Sequence, residues 1–254
     1  MLVEGKTDVG RERQKNEDCY LIISNNENIR LFAVADGMGG HKGGEVASSL
    51  AMEFVKDYFY NNREQLSEAS SESIKKYFTE MFRKANEKIW EEAFYNKHLN
   101  GMGTTLTVAL LIANHLVIGH IGDSRAYLIS KAGMWQLTED HSYVQKLVNE
   151  NHLEAGEEEN HPQRNVLTRA LGTDRVVDVD IYFYTVEESD NILLCTDGLT
   201  RTVSDMEVKD LILTSHSPSE SVEELVDLAN ARGGPDNITA LVVRLDTLDS
   251  GNKR

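Results

Sequence analysis

Apolar and polar residues follow one another in short blocks along this chain, with two different periods. Apolar runs recur at 19–24, 31–35, 104–113, 115–121, 125–130, 179–185, 192–196 and 238–245. In TLTVALLIA and ITALVVRL both alternate sets of positions are apolar, whereas a half-exposed strand would place a polar side chain at every second position. These runs therefore predict strands that are covered on both faces.

The second period is that of an amphipathic helix. Apolar residues three or four positions apart predict helices over 45–60 and 70–93, and a further helix around 222–229. In the first of these the stripe reads Val46, Leu50, Phe54 and Tyr58. Asn114 lies between two apolar runs, which predicts a tight hairpin and antiparallel pairing.

The order of these elements narrows the fold class. Two consecutive helices are followed by several strands, which does not fit the strict alternation of strand and helix in a Rossmann-type chain. We expect antiparallel sheets with helices packed outside them, a layered α/β sandwich. The 254 residues suit one large domain. We expect that domain over 1–246, with a frayed tail over 247–254.

The segment 142–166 differs from its neighbours. It is polar and contains consecutive glutamates at 157–159. We expect a helical insertion that projects from the core.

The charge balance limits the classes of partner. The chain has 26 Lys and Arg against 42 Asp and Glu, a formal net charge of -16. Such a surface repels the phosphates of nucleic acids and anionic lipids, so we expect no nucleic-acid binding. No apolar run approaches the length of about 18 residues that a membrane span needs, and MLVEGKTDVGRER lacks the apolar centre of a signal peptide.

Cysteine usage bears on the compartment. Cys19 and Cys195 are far apart and form neither a disulfide framework nor a zinc motif, which favours a reducing cytoplasm. Cys195 lies inside an apolar run, so we expect a small core residue.

Acidic residues stand at the ends of the apolar runs. They are Asp36, Asp123, Asp197 and Asp236, with Glu17 and Asp18 just before the first run. A single Asp-Gly after a strand is most often a turn residue. Several carboxylates gathered at one rim of a sheet stack would instead repel one another and shift their pKa values, and a divalent cation would remove that conflict.

The accompanying residues indicate which cation and which chemistry. Carboxylates without Cys or paired His favour Mg²⁺ or Mn²⁺ over Zn²⁺, and five glycines within 37–44 indicate that the backbone comes close to something. A two-metal site activates water and stabilises displacement at phosphorus. Arg13 is placed to bind phosphate oxygens, although it would equally pair with a nearby surface acid.

A series of short motifs carries a resemblance to a known family. In chain order they read GRERQKNED, DGMGGH, GMGTT, GDSR, DHS, ALG, TDGL and DNIT. With these in register, residues 6–245 resemble the bacterial type 2C metal-dependent Ser/Thr protein phosphatases. The resemblance implies an α-β-β-α sandwich of two mainly antiparallel sheets flanked by helices, with 142–166 as a mobile flap. It also implies two Mn²⁺ or Mg²⁺ ions between the sheets, and a third in the site seen in bacterial members.

The resemblance implies roles for the acids, residue by residue. Asp36 would bridge both ions, the Gly37 carbonyl would bind one of them, and Asp197 and Asp236 would bind the other. The remaining assignments are Glu17 and Asp18 acting largely through metal-bound water, Asp123 with Asp197 at the third site, and Arg13 on the phosphate. The acid that protonates the leaving alkoxide stays open, because Met38 stands where eukaryotic members often have His. His41 and a water on the third metal are the candidates, and His41 would equally serve to close the glycine loop by hydrogen bonding.

We therefore expect an enzyme that hydrolyses phosphoserine and phosphothreonine in proteins through a metal-activated water. By resemblance it reverses a bacterial Ser/Thr kinase, and we expect a monomer without membrane insertion. One alternative is a non-catalytic phosphoprotein-binding domain, which loss of the metal acids would signal. Another is a GDS-type serine acyl hydrolase, but a D-x-x-H near the C-terminus and a G-x-S-x-G are both missing.

Overall fold

The computed structural model describes residues 1–25, 28–39, 43–66, 69–154, 156–157 and 161–245. His41, part of the 142–166 segment and the 247–254 tail lie outside the described residues. The strands are β1 (Leu2–Asp8), β2 (Asp18–Ile23), β3 (Ile29–Met38), β4 (Gly103–Thr104), β5 (Leu106–Ile112), β6 (His115–Ile121), β7 (Arg125–Ser130), β8 (Gly133–Gln136), β9 (Asp180–Thr185), β10 (Asn191–Cys195) and β11 (Ile238–Arg244). The helices are α1 (Gly43–Asn62), α2 (Ser71–Tyr95), α3 (Tyr143–Asn149), α4 (Asp197–Thr200), α5 (Asp205–Thr214) and α6 (Pro218–Ala231).

The strands form two antiparallel sheets. Sheet I has the order β1-β11-β10-β7-β8, and sheet II has the order β2-β3-β5-β6-β9 with β4 paired to β3. The predicted hairpin at Asn114 is present, since Ile112 pairs with His115 and Ala113 takes a φ of 52° in the turn.

Apolar side chains fill three layers, which explains why the runs are apolar on both alternations. On β3, Leu31 and Ala33 belong to the outer layer that α1 and α2 cover, while Phe32 and Val34 lie between the sheets. A third layer joins the outer face of sheet I to α5 and α6. The arrangement confirms the predicted α-β-β-α sandwich.

The buried stripe of α1 differs from the predicted one by one position. Its fully buried apolar residues are Ala47, Ala51, Val55 and Phe59, whereas Val46, Leu50, Phe54 and Tyr58 are only partly buried. Both stripes are apolar, so the helix presents a broad apolar face. The small alanines occupy its centre, where α1 approaches sheet II.

Some elements were not predicted. β1 is an edge strand of sheet I, and its sequence LVEGKTD alternates apolar and polar residues too weakly to be recognised as a strand. α5 begins with a capping box in which Ser204 and Glu207 bond to each other's backbone, a signal the sequence does contain.

Within the 142–166 segment, the predicted helical insertion corresponds in the described residues to α3. Its N-cap, Ser142, accepts a hydrogen bond from the Gln145 N–H at 3.2 Å and pairs with Leu167 where the chain returns. Elsewhere, both cysteines are free and Cys195 is buried as expected. None of the helices in the described ranges is long and apolar enough to cross a membrane.

Candidate active site

The acidic residues predicted from the sequence meet at one rim of the two sheets. β2 begins and β3 ends at this rim because the two strands are antiparallel, and Asp18 lies directly opposite Asp36 in their register. β10 ends and β11 begins at the same rim for the same reason, which brings in Asp197 and Asp236. Like charges facing each other across a strand pair are destabilising, so this rim is electrostatically costly.

Asp18 connects the two sheets. Its Oδ2 accepts hydrogen bonds from the hydroxyls of Thr196 at 2.8 Å and Thr239 at 2.7 Å. Its Oδ1 is buried and has no hydrogen-bond partner among the described residues. Burial, opposed by these hydroxyls and aided by the nearby Asp197 charge, raises the pKa of Asp18 to about 7.

Asp36 is held in place through its backbone. Its N–H donates to the Thr105 hydroxyl at 2.8 Å, and its carbonyl accepts from the Thr104 hydroxyl and the Thr105 N–H at 2.9 Å each. Burial, and then the charges of Asp18 and Asp197, raise the pKa of Asp36 well above its usual range. The strand end is therefore fixed while the carboxylate remains under strong repulsion.

Two arginines supply positive charge to the rim. Asp197, the first residue of α4, forms an ion pair between its Oδ2 and Nη2 of Arg201, and its buried Oδ1 lacks a hydrogen-bond partner in the described part of the chain. Asp236 accepts at Oδ2 from Arg13 Nη2 at 2.9 Å and Arg201 Nη1 at 3.1 Å. Burial raises the pKa of Asp197, with Arg201 acting against the shift.

The glycines of the D-G pairs are required by contacts between backbones. A Cβ on Gly37 would lie 2.1 Å from the Gly44 carbonyl oxygen, and one on Gly198 would lie 2.0 Å from the Asn237 carbonyl oxygen. The backbone of Gly37 therefore lies directly against the start of α1. Without Cβ atoms, the end of β3 can lie against the start of α1, and the start of α4 can lie against Asn237.

Asp123 and Glu17 lie at the edge of this group. Asp123 occupies the turn between β6 and β7, and burial together with the Asp197 charge raises its pKa well above the usual range. The Glu17 N–H donates to Asn237 Oδ1 at 2.8 Å, and its carbonyl accepts from the Gly37 N–H at 3.1 Å. Burial also raises the pKa of Glu17, against the nearby Arg13.

Arg13 lies on the loop between β1 and β2, and Asn237, the residue before β11, anchors this loop. Asn237 donates through Nδ2 to the carbonyls of Val9 and Lys15 at 2.9 and 2.8 Å, so both ends of the loop are anchored. The Arg13 side chain is half exposed. The sequence analysis gave pairing with a nearby surface acid as the alternative role of Arg13. Arg13 does pair with an acid, Asp236, but this acid belongs to the rim.

The sequence analysis did not single out several residues that the structure places here. Arg201 follows Asp197 by one helical turn, a spacing that could have revealed it. Arg125 forms a bidentate pair with Asp140, at 2.9 Å for Nε–Oδ1 and 2.7 Å for Nη2–Oδ2. A pocket of about 440 Å³ lies between the rim and the 142–166 segment, and these three charged residues line it with Asp123 and Asp197.

The donor set fits a hard divalent cation. Within the described residues, no group of His, Cys, Asp and Glu side chains is arranged to hold an ion as it stands. Guanidinium nitrogens contact the oxygens of Asp197 and Asp236. Two buried carboxylate oxygens nevertheless lack partners in these ranges. Such orphaned oxygens, on acids whose pKa values are raised by burial and by neighbouring carboxylates, are what a cation would satisfy.

Comparison with known proteins agrees with this geometry. A family model described as Protein phosphatase 2C matches residues 9–241. The serine/threonine phosphatase stp of Listeria welshimeri is 38% identical over 251 residues, covering 99% of this chain and 98% of that protein. The crystal structure of serine/threonine phosphatase Stp1 from Staphylococcus aureus has a TM-score of 0.89 at 35% identity, covering 97% of this chain and 96% of that one. The catalytic domain of serine threonine protein phosphatase PstP, in complex with two manganese ions, has a TM-score of 0.80 at 32% identity over 94% of this chain and 96% of its own.

Proposed function

Because the chain belongs to the protein phosphatase 2C family, we propose that it is a metal-dependent phosphatase of phosphoserine and phosphothreonine in proteins. The observation that carries the proposal is the rim of acids from distant segments, with buried carboxylate oxygens that lack partners among the described residues. The names of the relatives support the reaction, and the manganese ions of PstP support the choice of metal.

The metal ligands we propose are those of the family resemblance. They are Asp36, the Gly37 carbonyl, Asp197 and Asp236, with Asp123, Glu17 and Asp18 around them. Bound Mn²⁺ or Mg²⁺ would act as a Lewis acid toward phosphate oxygens and lower the pKa of water. The threonines at 104, 105, 196 and 239 would hold two of these acids, Asp18 and Asp36, in place through neutral hydrogen bonds.

Arg13 is proposed to bind the phosphate group. Its anchored loop and half-exposed guanidinium allow it to turn from Asp236 toward a ligand at the mouth of the rim. A guanidinium binds two phosphate oxygens at once. His41 stays a candidate for the proton donor to the leaving seryl oxygen.

The substrates we propose are phosphorylated proteins, which a Ser/Thr kinase must supply. A cytoplasmic, monomeric enzyme remains our prediction. The chemistry of the rim does not distinguish among substrate proteins, since it acts on the phosphate and its ester oxygen.

A panel of phosphoserine, phosphothreonine and phosphotyrosine peptides tests the proposal through phosphate release. We expect hydrolysis of the first two with Mn²⁺, loss of activity in EDTA, and recovery when Mn²⁺ is restored. Activity that persists in EDTA would contradict the metal-dependent mechanism. Binding of phosphopeptide without phosphate release would instead favour the non-catalytic domain.

A further inference from the structure

The guanidinium of Arg201 contacts two of the proposed metal ligands at once. Its Nη2 pairs with Asp197 Oδ2, and its Nη1 lies 3.1 Å from Asp236 Oδ2. It thereby joins the β10–α4 junction to the start of β11. The proposed mechanism gives this contact no role.

Local structure explains why Arg201 reaches both acids. α4 begins at Asp197, and the Arg201 N–H donates to the Asp197 carbonyl at 2.9 Å. Residues one turn apart share a helix face, so the Arg201 side chain folds back over the helix start. Only 25% of this side chain is exposed, against 52% for Arg13, which contacts Asp236 but not Asp197.

A guanidinium on these carboxylates opposes a divalent ion bound by the same two carboxylates. Two cations held by the same pair of acids lie close together and repel each other. Arg201 also lines the pocket of about 440 Å³. The side chain therefore has space to move into when it leaves the two carboxylates.

We propose that Arg201 is an internal counter-cation, which holds Asp197 and Asp236 together in the metal-free protein and is displaced when a divalent ion binds. The inference rests on the proposed function in one respect, the use of both acids as metal ligands. Metal binding then becomes an exchange of one cation for another. The exchange weakens the apparent metal affinity and stabilises the metal-free protein.

The test compares the full-length chain with R201M, R201K and the control R83M. Arg83 pairs with Glu87 on the exposed surface of α2, so R83M removes the same charge away from the rim. Manganese affinity is measured by the electron paramagnetic resonance signal of free Mn²⁺, and stability by the thermal midpoint in EDTA.

We expect R201M to bind Mn²⁺ about tenfold more tightly, as loss of one close competing charge contact implies, and to melt at a lower temperature in EDTA. R83M should match the wild type in both measurements. R201K should lie between, because an ammonium lacks the fork that spans two carboxylates.

Equal or weaker Mn²⁺ binding by R201M would overturn the inference. If R201M does not fold without metal, R201K carries the test, and identity with the wild type in both measurements would overturn it. Phosphopeptide hydrolysis is measured on the same samples. A wild type that binds Mn²⁺ but releases no phosphate would contradict the proposed function alone.

Discussion

Hydrogen bonds fix the positions of the acidic residues at the rim but do not neutralise their negative charge. Neutral groups orient Asp18 and Asp36: hydroxyls bond to the Asp18 carboxylate, and threonines bond to the Asp36 backbone. These bonds do not offset the burial and the carboxylate repulsion that together raise both pKa values. A bound cation would therefore neutralise these acids. Replacing one of them by its neutral amide should separate its cost to stability from its role in the reaction.

Asp36→Asn is the substitution that makes this separation. The amide keeps the shape of the side chain but removes a charge, so we expect turnover on a phosphoserine peptide to fall at least about a hundredfold. Because burial and the neighbouring carboxylates disfavour the charged form of Asp36 in the folded protein, its replacement by a neutral amide should raise the thermal midpoint in EDTA. Asp57→Asn, on the exposed face of α1, should change neither value. Near-normal turnover in Asp36→Asn would show that this carboxylate does not serve the reaction.

At the scale of elements, apolar patterning predicted the strands that are covered on both faces and the helices α1, α2 and α6. It could not predict β1, whose polar edge position weakens the pattern, or the one-residue shift of the buried stripe on α1. The site acids were predicted because each follows or precedes an apolar run. Arg201 was missed although its spacing from Asp197 is visible in the sequence, and its contact with Asp236 is a tertiary contact that the sequence does not show.

The joints between elements depend on glycine, and Gly37→Ala tests one of them. The added methyl would meet the Gly44 carbonyl, so β3 and α1 must move apart. We expect a loss of about 3 kcal/mol in the free energy of unfolding by urea, the upper range for overpacking.

Gly101→Ala is the matched control for that joint. Its added Cβ meets nothing within 4 Å, although its φ of +79° favours glycine. The left-handed backbone should therefore cost about 1 kcal/mol. A Gly37→Ala variant no less stable than Gly101→Ala would show that the close approach is unimportant.

On the scale of the whole molecule, the acids set the response to pH. Asp18 has a usual pKa of 3.8 and a folded pKa of about 7. Between these values the unfolded chain is ionised while the folded protein keeps the proton, so the metal-free protein loses stability as pH rises through this window. A cation that binds the ionised acids reverses that loss.

The stabilisation by Mn²⁺ should therefore grow as pH rises. We expect a larger increase in thermal midpoint on adding Mn²⁺ at about pH 7.5 than at about pH 5.5. Buried His120 acts in the opposite sense. Burial lowers its pKa from 6.5 to about 3, so its contribution to the free energy of unfolding is lost as pH falls from 6.5. This contribution is the same with and without Mn²⁺, so it cancels when the two thermal midpoints are subtracted. An equal or larger effect at the lower pH would contradict the assignment of these acids to metal binding.

The central claim is that divalent ions bind among the acids that meet at the rim of both sheets and make that rim the reactive centre. Anomalous diffraction from a crystal grown with Mn²⁺ tests it most directly. We predict manganese peaks in contact with Asp36, Asp197 and Asp236, and Arg201 turned away from the last two. A crystal without a manganese peak among these carboxylates, with Arg201 still on Asp197 and Asp236, would contradict it.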